Sequence, residues 1–367
     1  MTQQSSSGQR PPIQLSTLTM LNLQTGWALE KNNTRVFFTH DGPTRWMNIT
    51  PPGLTLPGND PLNSITASDF PDTAHGYLGV LQNGATTLLI SRDSGKTWQS
   101  VPFDFSPLTA VGIYQIDFLD AVHGWLAFDE DHGFGNFRIA LMSTSDGGKT
   151  WQRLVDDKQG LDGGLPIKDP KHFLFTSPKV GWMTGPEDFA PEIRLYATED
   201  GGKTWQRSTN IPPIQNVAFS HSYGPYFNHA NDGTLPVTYG VQGDNALHLA
   251  IYRTDNGGKS WSVVQTASSN TVIASDSFLT FRNAHDGWLL GLDQNNQPIL
   301  RLTQDGGAHW KVLHPIGLQG FNGVVLDLKF LTSTTGWLVT NDTSGNTILF
   351  QTNDAGQNWQ ALHPVLR

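Results

Sequence analysis

The twelve tryptophans of this chain occupy only two positions of a repeating pattern, and that regularity constrains the fold more than any other feature. Seven of them, Trp46, Trp98, Trp151, Trp205, Trp261, Trp310 and Trp359, recur at intervals of 49 to 56 residues. The other five follow a glycine, at Gly26-Trp27, Gly124-Trp125, Gly181-Trp182, Gly287-Trp288 and Gly336-Trp337. Gly76-Tyr77 fills that slot in the second repeat and Gly233-Thr234 in the fifth, where NHANDGTLPV aligns with RNAHDGWLLG. A third position stands six residues before each glycine, at Phe70, Phe118, Phe175, Phe227, Phe281 and Phe330, with Met20 in the first repeat. One repeat therefore reads as an apolar strand ending near the Phe, a tight turn, a strand opening at Gly-Trp, a third apolar strand, a hairpin and a fourth strand opening at the second Trp. Four strands in about fifty residues is the spacing of all-β repeats.

The hairpin is clearest at Thr144-Ser145-Asp146-Gly147-Gly148-Lys149-Thr150-Trp151 and at Thr198-Glu199-Asp200-Gly201-Gly202-Lys203-Thr204-Trp205. This is an Asp-box. Its acidic position is Asp41, Asp93, Asp146, Asp200, Asn256, Asp305 and Asp354 along the chain, with Asn in the fifth copy and Pro43 in place of a glycine in the first. The residue types suit the turn: a carboxylate accepts the backbone N–H groups of the loop, glycines take positive φ, and the indole covers apolar surface between sheets. A sheet with two apolar faces cannot stand alone, and arranging copies around an axis buries both faces. The pattern predicts an all-β, seven-bladed β-propeller with four antiparallel strands per blade and the Asp-box between the third and fourth strands. It spans residues 13–367, with little strand exchange at the closure. Met1 to Pro12, rich in Ser and Gln, reads as a flexible polar tail.

Composition narrows the function. Without cysteine there is no disulfide, thiol nucleophile or cysteine-held zinc, and no cofactor or metal motif is present. The net charge of -9, with no basic run, argues against nucleic acid. No apolar stretch is long enough to span a membrane, so the chain reads as cytoplasmic as it stands. Tails of this composition also follow cleaved signals and lipid anchors, so a signal or anchor at the native N-terminus implies an extracytoplasmic or cell-surface protein. A monomer is expected.

The first turn and the box keep constant length in every repeat, whereas the distance from the residue after the repeat Gly to the box Thr or Ser varies from 12 to 20 residues. Variation on one face of a rigid scaffold marks a loop-built binding surface. Its long segments are 51–64, the blade-three loop 129–133, 156–171, 185–188 and 240–245. Asp129, Glu130, Asp131, His132, Glu187, Asp188 and Glu192 on this face read as a cation site or a dock for a basic partner, or as a solvated acidic rim. Asp117 and Asp327, with Asp69 as a third candidate, sit on the innermost strands and read as catalytic acids for glycosidic cleavage. The plainer reading has them hydrogen-bonded to neighbouring blades. Arg35, Arg138, Arg194 and Arg301 fall on one face of the third strand and are expected to pair with acids, while His75, His123 and His285 read as turn residues.

Taken together, the apolar strand with Phe, the Gly-Trp strand and the Asp-box resemble the Asp-box propellers, most closely the photosystem II assembly and stability factor family, over residues 13–367. The same hairpin occurs in sialidases, xyloglucan-degrading glycoside hydrolases and sortilin-type receptors. The sialidase pattern fails here: Phe137-Arg138-Ile139-Ala140 is similar to its arginine motif but lacks the proline and lies inside the third blade. Xyloglucanases pair two propellers, and this chain carries one. The resemblance implies a non-enzymatic scaffold with a protein partner. The alternative is a glycoside hydrolase or carbohydrate-binding propeller.

Overall fold

The computed structural model describes residues 12–57, 60, 63–101, 112–133, 136–154, 172–185, 192–244, 246–266, 272–273, 277–318 and 321–367, without the side chains of 129–133, 136–138, 265–266 and 272–273. It is a seven-bladed β-propeller. The innermost strands are Leu15–Met20, Ser64–Asp69, Gly112–Phe118, His172–Phe175, Val217–Ser222, Phe278–Phe281 and Val325–Phe330. Each is followed outward by antiparallel partners from the same stretch of chain, as in Gly287–Leu292, Pro298–Thr303 and Lys311–Leu313 of the sixth blade.

Seven apolar clusters hold the ring, one at each junction between neighbouring blades. Alternation along a strand feeds two junctions at once. Trp337 and Val339 pack toward the first blade, whereas Leu338 between them packs toward the sixth. The cluster joining the last blade to the first contains Leu15, Leu18, Trp46 and Phe37 alongside Trp337 and Leu349. Closure is thus as apolar as any other junction.

The three periodic positions meet in space. Phe175 stacks on Trp125 of the preceding blade, with ring centroids 3.6 Å apart and planes 3° from parallel. Its other face covers Gly181 so closely that a Cβ there would lie 2.6 Å from the ring. The box indole Trp205 meets its edge at 6.0 Å. Phe330 repeats the arrangement with Trp288 at 3.7 Å, Gly336 and Trp359. The glycine is therefore required by packing, since any side chain would displace the phenyl ring.

The box loops share one hydrogen-bond scheme. Asp146 Oδ1 accepts from the Thr150 N–H at 2.9 Å and Oδ2 from its hydroxyl at 2.6 Å, while Thr144 Oγ1 accepts from the Gly148 N–H at 2.9 Å. These bonds, the Thr150 hydroxyl first, hold the Asp146 carboxyl down at about 2. Gly147 and Gly148 take positive φ. In the first blade Pro43 interrupts the scheme, and Asp41 pairs instead with Arg367.

That ion pair belongs to a feature the repeat did not announce. Each blade draws its four core strands from consecutive chain, but Val365–Leu366 then adds in parallel to Arg45–Asn48 as a fifth strand on the first blade. The Ile13, Val365 and Arg367 N–H groups donate to the Pro364, Thr44 and Trp46 carbonyls. The expectation of little exchange at the closure needs this correction: the C-terminus covers the outer edge that the first blade would expose. Pro12, assigned to the tail, bridges Val365. Residues 1–11 lie outside the described residues.

The fifth blade departs most from the repeat. Its inner strand is split into Val217–Ser222 and Tyr226–His229, both paired with Asp232–Val241. Pro236 sits opposite the break, where its carbonyl accepts from the Tyr223 N–H and it has no N–H to return. A two-residue strand, Val272–Ile273, also pairs with Leu247–Thr254.

Deleting residues 364–367 removes the three terminal backbone bonds described above and is expected to cost about 2 to 3 kcal/mol in urea denaturation. A loss below about 0.5 kcal/mol would show that the terminal strand does not hold the ring. Gly181→Ala, which drives a methyl into Phe175, is expected to cost about 1 to 3 kcal/mol in the same assay, and no loss would refute the packing role of the glycine.

Candidate binding face and channel

The three inner-strand carboxylates have structural partners. Asp69 Oδ2 accepts the Phe118 N–H at 2.7 Å, Asp117 Oδ2 the Phe175 N–H at 2.9 Å, and Asp327 Oδ2 the Leu18 N–H at 2.8 Å. Each bond crosses to the next blade. Gln115 does the same with both of its atoms, accepting from the Phe173 N–H and donating to the Phe173 carbonyl. An innermost strand has no further strand to pair with, so its outward backbone groups need such partners. Lys329 Nζ lies 3.3 Å from Asp327.

Burial raises Asp69 to about 6, against the opposing N–H bonds from Phe118 and Phe70. Asp117 rises further, to about 7, through burial and then through the charge of Asp69, with the Phe175 N–H opposing. Asp117 thus feels the charge of Asp69, whereas Asp327 serves the junction between the seventh and first blades.

Among the described residues, the variable-length segments at 51–57, 129–133 and 240–244 join strands at the ends opposite those that carry the boxes. The blade-three segment expected as a loop at 129–133 is instead strand: Gly124–Gly133 and Asn136–Thr144 pair through to Gly133 and Asn136. The hairpin projects as a β-ribbon, with an irregularity between Asp129 and Asp131. The side chains of Asp129, Glu130, Asp131, His132 and Arg138 lie outside the described residues, as do Glu187, Asp188 and the segment 156–171. Glu192 is an ion-pair partner of Arg207 at 2.6 Å. In 240–245, Gly243 takes positive φ and Asp244 bonds His248 at 2.9 Å.

Of the third-strand arginines, Arg35 bonds Glu30 at 2.6 Å. Arg301 departs from expectation: its half-buried guanidinium has no carboxylate partner among the described residues, and burial lowers its pKa. His75 and His123 bond Asp72 and Asp120 within their own turns at 2.8 and 2.9 Å, and His285 reaches Asp232 at 2.7 Å. Among the described residues no three His, Asp or Glu side chains converge as metal ligands, and no helix is long and apolar enough to cross a membrane.

A cleft of about 310 Å³ opens between the fourth and fifth blades, lined by His172, Leu174 and Thr184 on one side and by residues 221–226 on the other. Residue-by-residue reading of the sequence missed it. Two signals pointed there: Thr234 in place of the repeat Trp, and Pro236 two residues on. Without that indole, Phe281 of the next blade meets the Tyr226 ring instead, at 5.5 Å.

No family model matches the chain. It is 24% identical over 204 residues to the photosystem II assembly lipoprotein Ycf48 of Synechococcus sp. (strain CC9902), covering 53% of this chain and 48% of that protein. The chain is similar to Ycf48. It spans about half the length of that curated relative in the match. A solved structure described as Ycf48 bound to D1 peptide superposes with a TM-score of 0.51 at 18% identity, covering 83% of each chain. The GH74 enzyme of Niastella koreensis superposes with a TM-score of 0.53 at 12% identity, covering 97% of this chain and 67% of the enzyme. At such identities the structural likeness shows the shared propeller alone, which hosts binding proteins and enzymes alike.

The folded Asp69 and Asp117 hold their protons to higher pH than the unfolded chain does, so their contribution to stability is full near pH 4 and is lost as pH rises to about 7. Asp117→Asn keeps an acceptor for the Phe175 N–H and removes the charge. It is expected to stabilise the protein at pH 8 by on the order of 1 to 2 kcal/mol, with little effect at pH 4.5. Equal effects at both pH values in chemical denaturation would contradict the raised carboxyl.

Proposed function

We propose that this protein is a non-enzymatic scaffold that binds a protein partner through its variable-length face, in the manner of a photosystem II assembly factor. One observation carries the reading. The carboxylates placed where a propeller hydrolase keeps its acids are each committed to a backbone N–H of the next blade, so they serve ring closure. The similarity to Ycf48, and the description of one such structure as holding a D1 peptide, support a protein ligand. The name of the relative, a lipoprotein, supports an extracytoplasmic, membrane-anchored setting. The acidic residues Asp129, Glu130, Asp131, Glu187, Asp188 and Glu192, which the sequence assigns to this face, would favour a partner with basic side chains.

A second reading retains one favourable observation: Asp117, held protonated to about 7, has the pKa a general acid requires. A panel of glycans and aryl glycosides separates the two. The scaffold reading predicts no turnover above buffer, and capture of a protein partner that disappears when segments 156–171 and 185–192 are each replaced by short Gly-Ser links. Turnover abolished by Asp117→Asn would overturn it in favour of a hydrolase.

A further inference from the structure

We infer that the cleft between the fourth and fifth blades is an anchor pocket for one tyrosine or tryptophan side chain of a protein partner, an inference that rests on the scaffold reading above. Its position is suitable. His172 opens the inner strand of the fourth blade and Thr184 closes the second, so the cleft lies at the end of the disc where the variable segments begin and end.

Two polar side chains in the wall have no protein partner. Neither the His172 imidazole nor the Tyr226 hydroxyl makes a hydrogen bond among the described residues, and His172 is exposed while Tyr226 is half-buried. Desolvation by the surrounding protein lowers the His172 pKa. Burial likewise pushes the Tyr226 phenol up to about 12. At neutral pH His172 and Tyr226 thus offer one imidazole donor, one imidazole acceptor and one phenolic donor, uncharged, beside the Thr184, His221, Ser222 and Tyr223 side chains that also line the cleft. Polar groups that no protein group bonds remain open to a ligand.

The rest of the wall selects the occupant. Among the described residues no Asp, Glu, Lys or Arg lines the cleft, so an ammonium, guanidinium or carboxylate would be desolvated without an opposite charge. Leu174, Pro225 and the aromatic rings supply mostly apolar surface. A sugar, with a hydroxyl on nearly every ring carbon, would leave most of them unbonded here. A phenol or indole matches better, burying a flat apolar body while its single polar atom bonds His172 or Tyr226. The volume of about 310 Å³ stands at the small end of ligand pockets and suits one anchored side chain. Buried Tyr and Trp are the residue types that dominate binding at protein interfaces.

The sequence origin of the pocket is specific to one blade. Thr234 withholds the indole that elsewhere covers the next blade's Phe, Tyr226 packs on Phe281 at the junction with the sixth blade, and the inner strand breaks at Tyr223-Gly224-Pro225, which shapes the wall of the cleft toward the fourth blade. Gly224 permits the resulting approach, because a Cβ there would lie 2.7 Å from His172 Nδ1.

The test uses the full chain, ligand-observed saturation-transfer NMR and four probes: N-acetyl-tyrosinamide, N-acetyl-tryptophanamide, N-acetyl-leucinamide and methyl β-glucoside. The two aromatic amides should bind and compete with each other, while the leucine amide and the glucoside should not. Gly224→Ala, whose backbone conformation is open to alanine, should weaken aromatic binding at least about tenfold, and Tyr226→Phe about three- to tenfold, both with unchanged near-ultraviolet circular dichroism. Three results would overturn the inference: no aromatic binding, aromatic binding equal in wild type and both variants, or glucoside binding in place of the amides. If the amides fail while segment replacement still abolishes partner capture, the anchor pocket falls and the scaffold reading stands. If the amides bind but a glycan panel shows turnover, the scaffold reading falls.

Discussion

A phenyl ring pressed between a glycine of its own blade and an indole of the preceding one is the contact on which this ring depends. Phe175 between Gly181 and Trp125, and Phe330 between Gly336 and Trp288, show the arrangement in full. It makes the residue at each periodic position depend on the other two, since a larger residue than glycine displaces the ring and a smaller one than Trp opens a cavity. It also binds blades in sequence, so a single sheet is never asked to stabilise itself.

Aromatic stacking leaves one problem, the backbone edges that face the channel. Asp69, Asp117, Asp327 and Gln115 solve it by bonding the main chain of the next inner strand. The solution has a consequence for chemistry, because carboxylates that look like channel acids are occupied in holding the ring. It also leaves two carboxyls with raised pKa values, a tension accepted for closure. On the scaffold reading proposed above, binding falls to the opposite end of the disc and to the fifth blade, where Thr234 interrupts the stacking scheme.

Much of the architecture was legible in sequence because its determinants are local and repeated. Blade number, strand order and the pairing of Phe with Gly follow from Met20 through Phe330 standing six residues before their glycines. What escaped depends on single, unrepeated residues. The terminal strand Val365–Leu366 has too little sequence to carry a pattern, and its docking answers the bare edge of Arg45–Asn48. The ribbon at 129–133 reads as a loop because Asp and Gly are poor strand formers, yet pairing with 136–139 extends the ladder through them. Arg301 has no acid beside it among the described residues because spacing fixes a strand face without fixing what stands opposite. The candidate site was visible only as a defect: Thr234 and Pro236 break the repeat, but only the structure shows Tyr226 packed on Phe281 and a cleft between residues 221–226 and His172 of the fourth blade.

The most direct test of the interlocked ring is the hydrogen-exchange rate of the backbone amides of Leu18, Phe118 and Phe175 in the native protein. All three lie on channel-facing edges that no strand covers, and each donates to a side chain of the preceding blade. If the ring is closed as described, these amides exchange as slowly as those of the central strands, through global unfolding alone. Exchange as fast as in surface turns would show that the blades part locally, and the account of closure would be wrong.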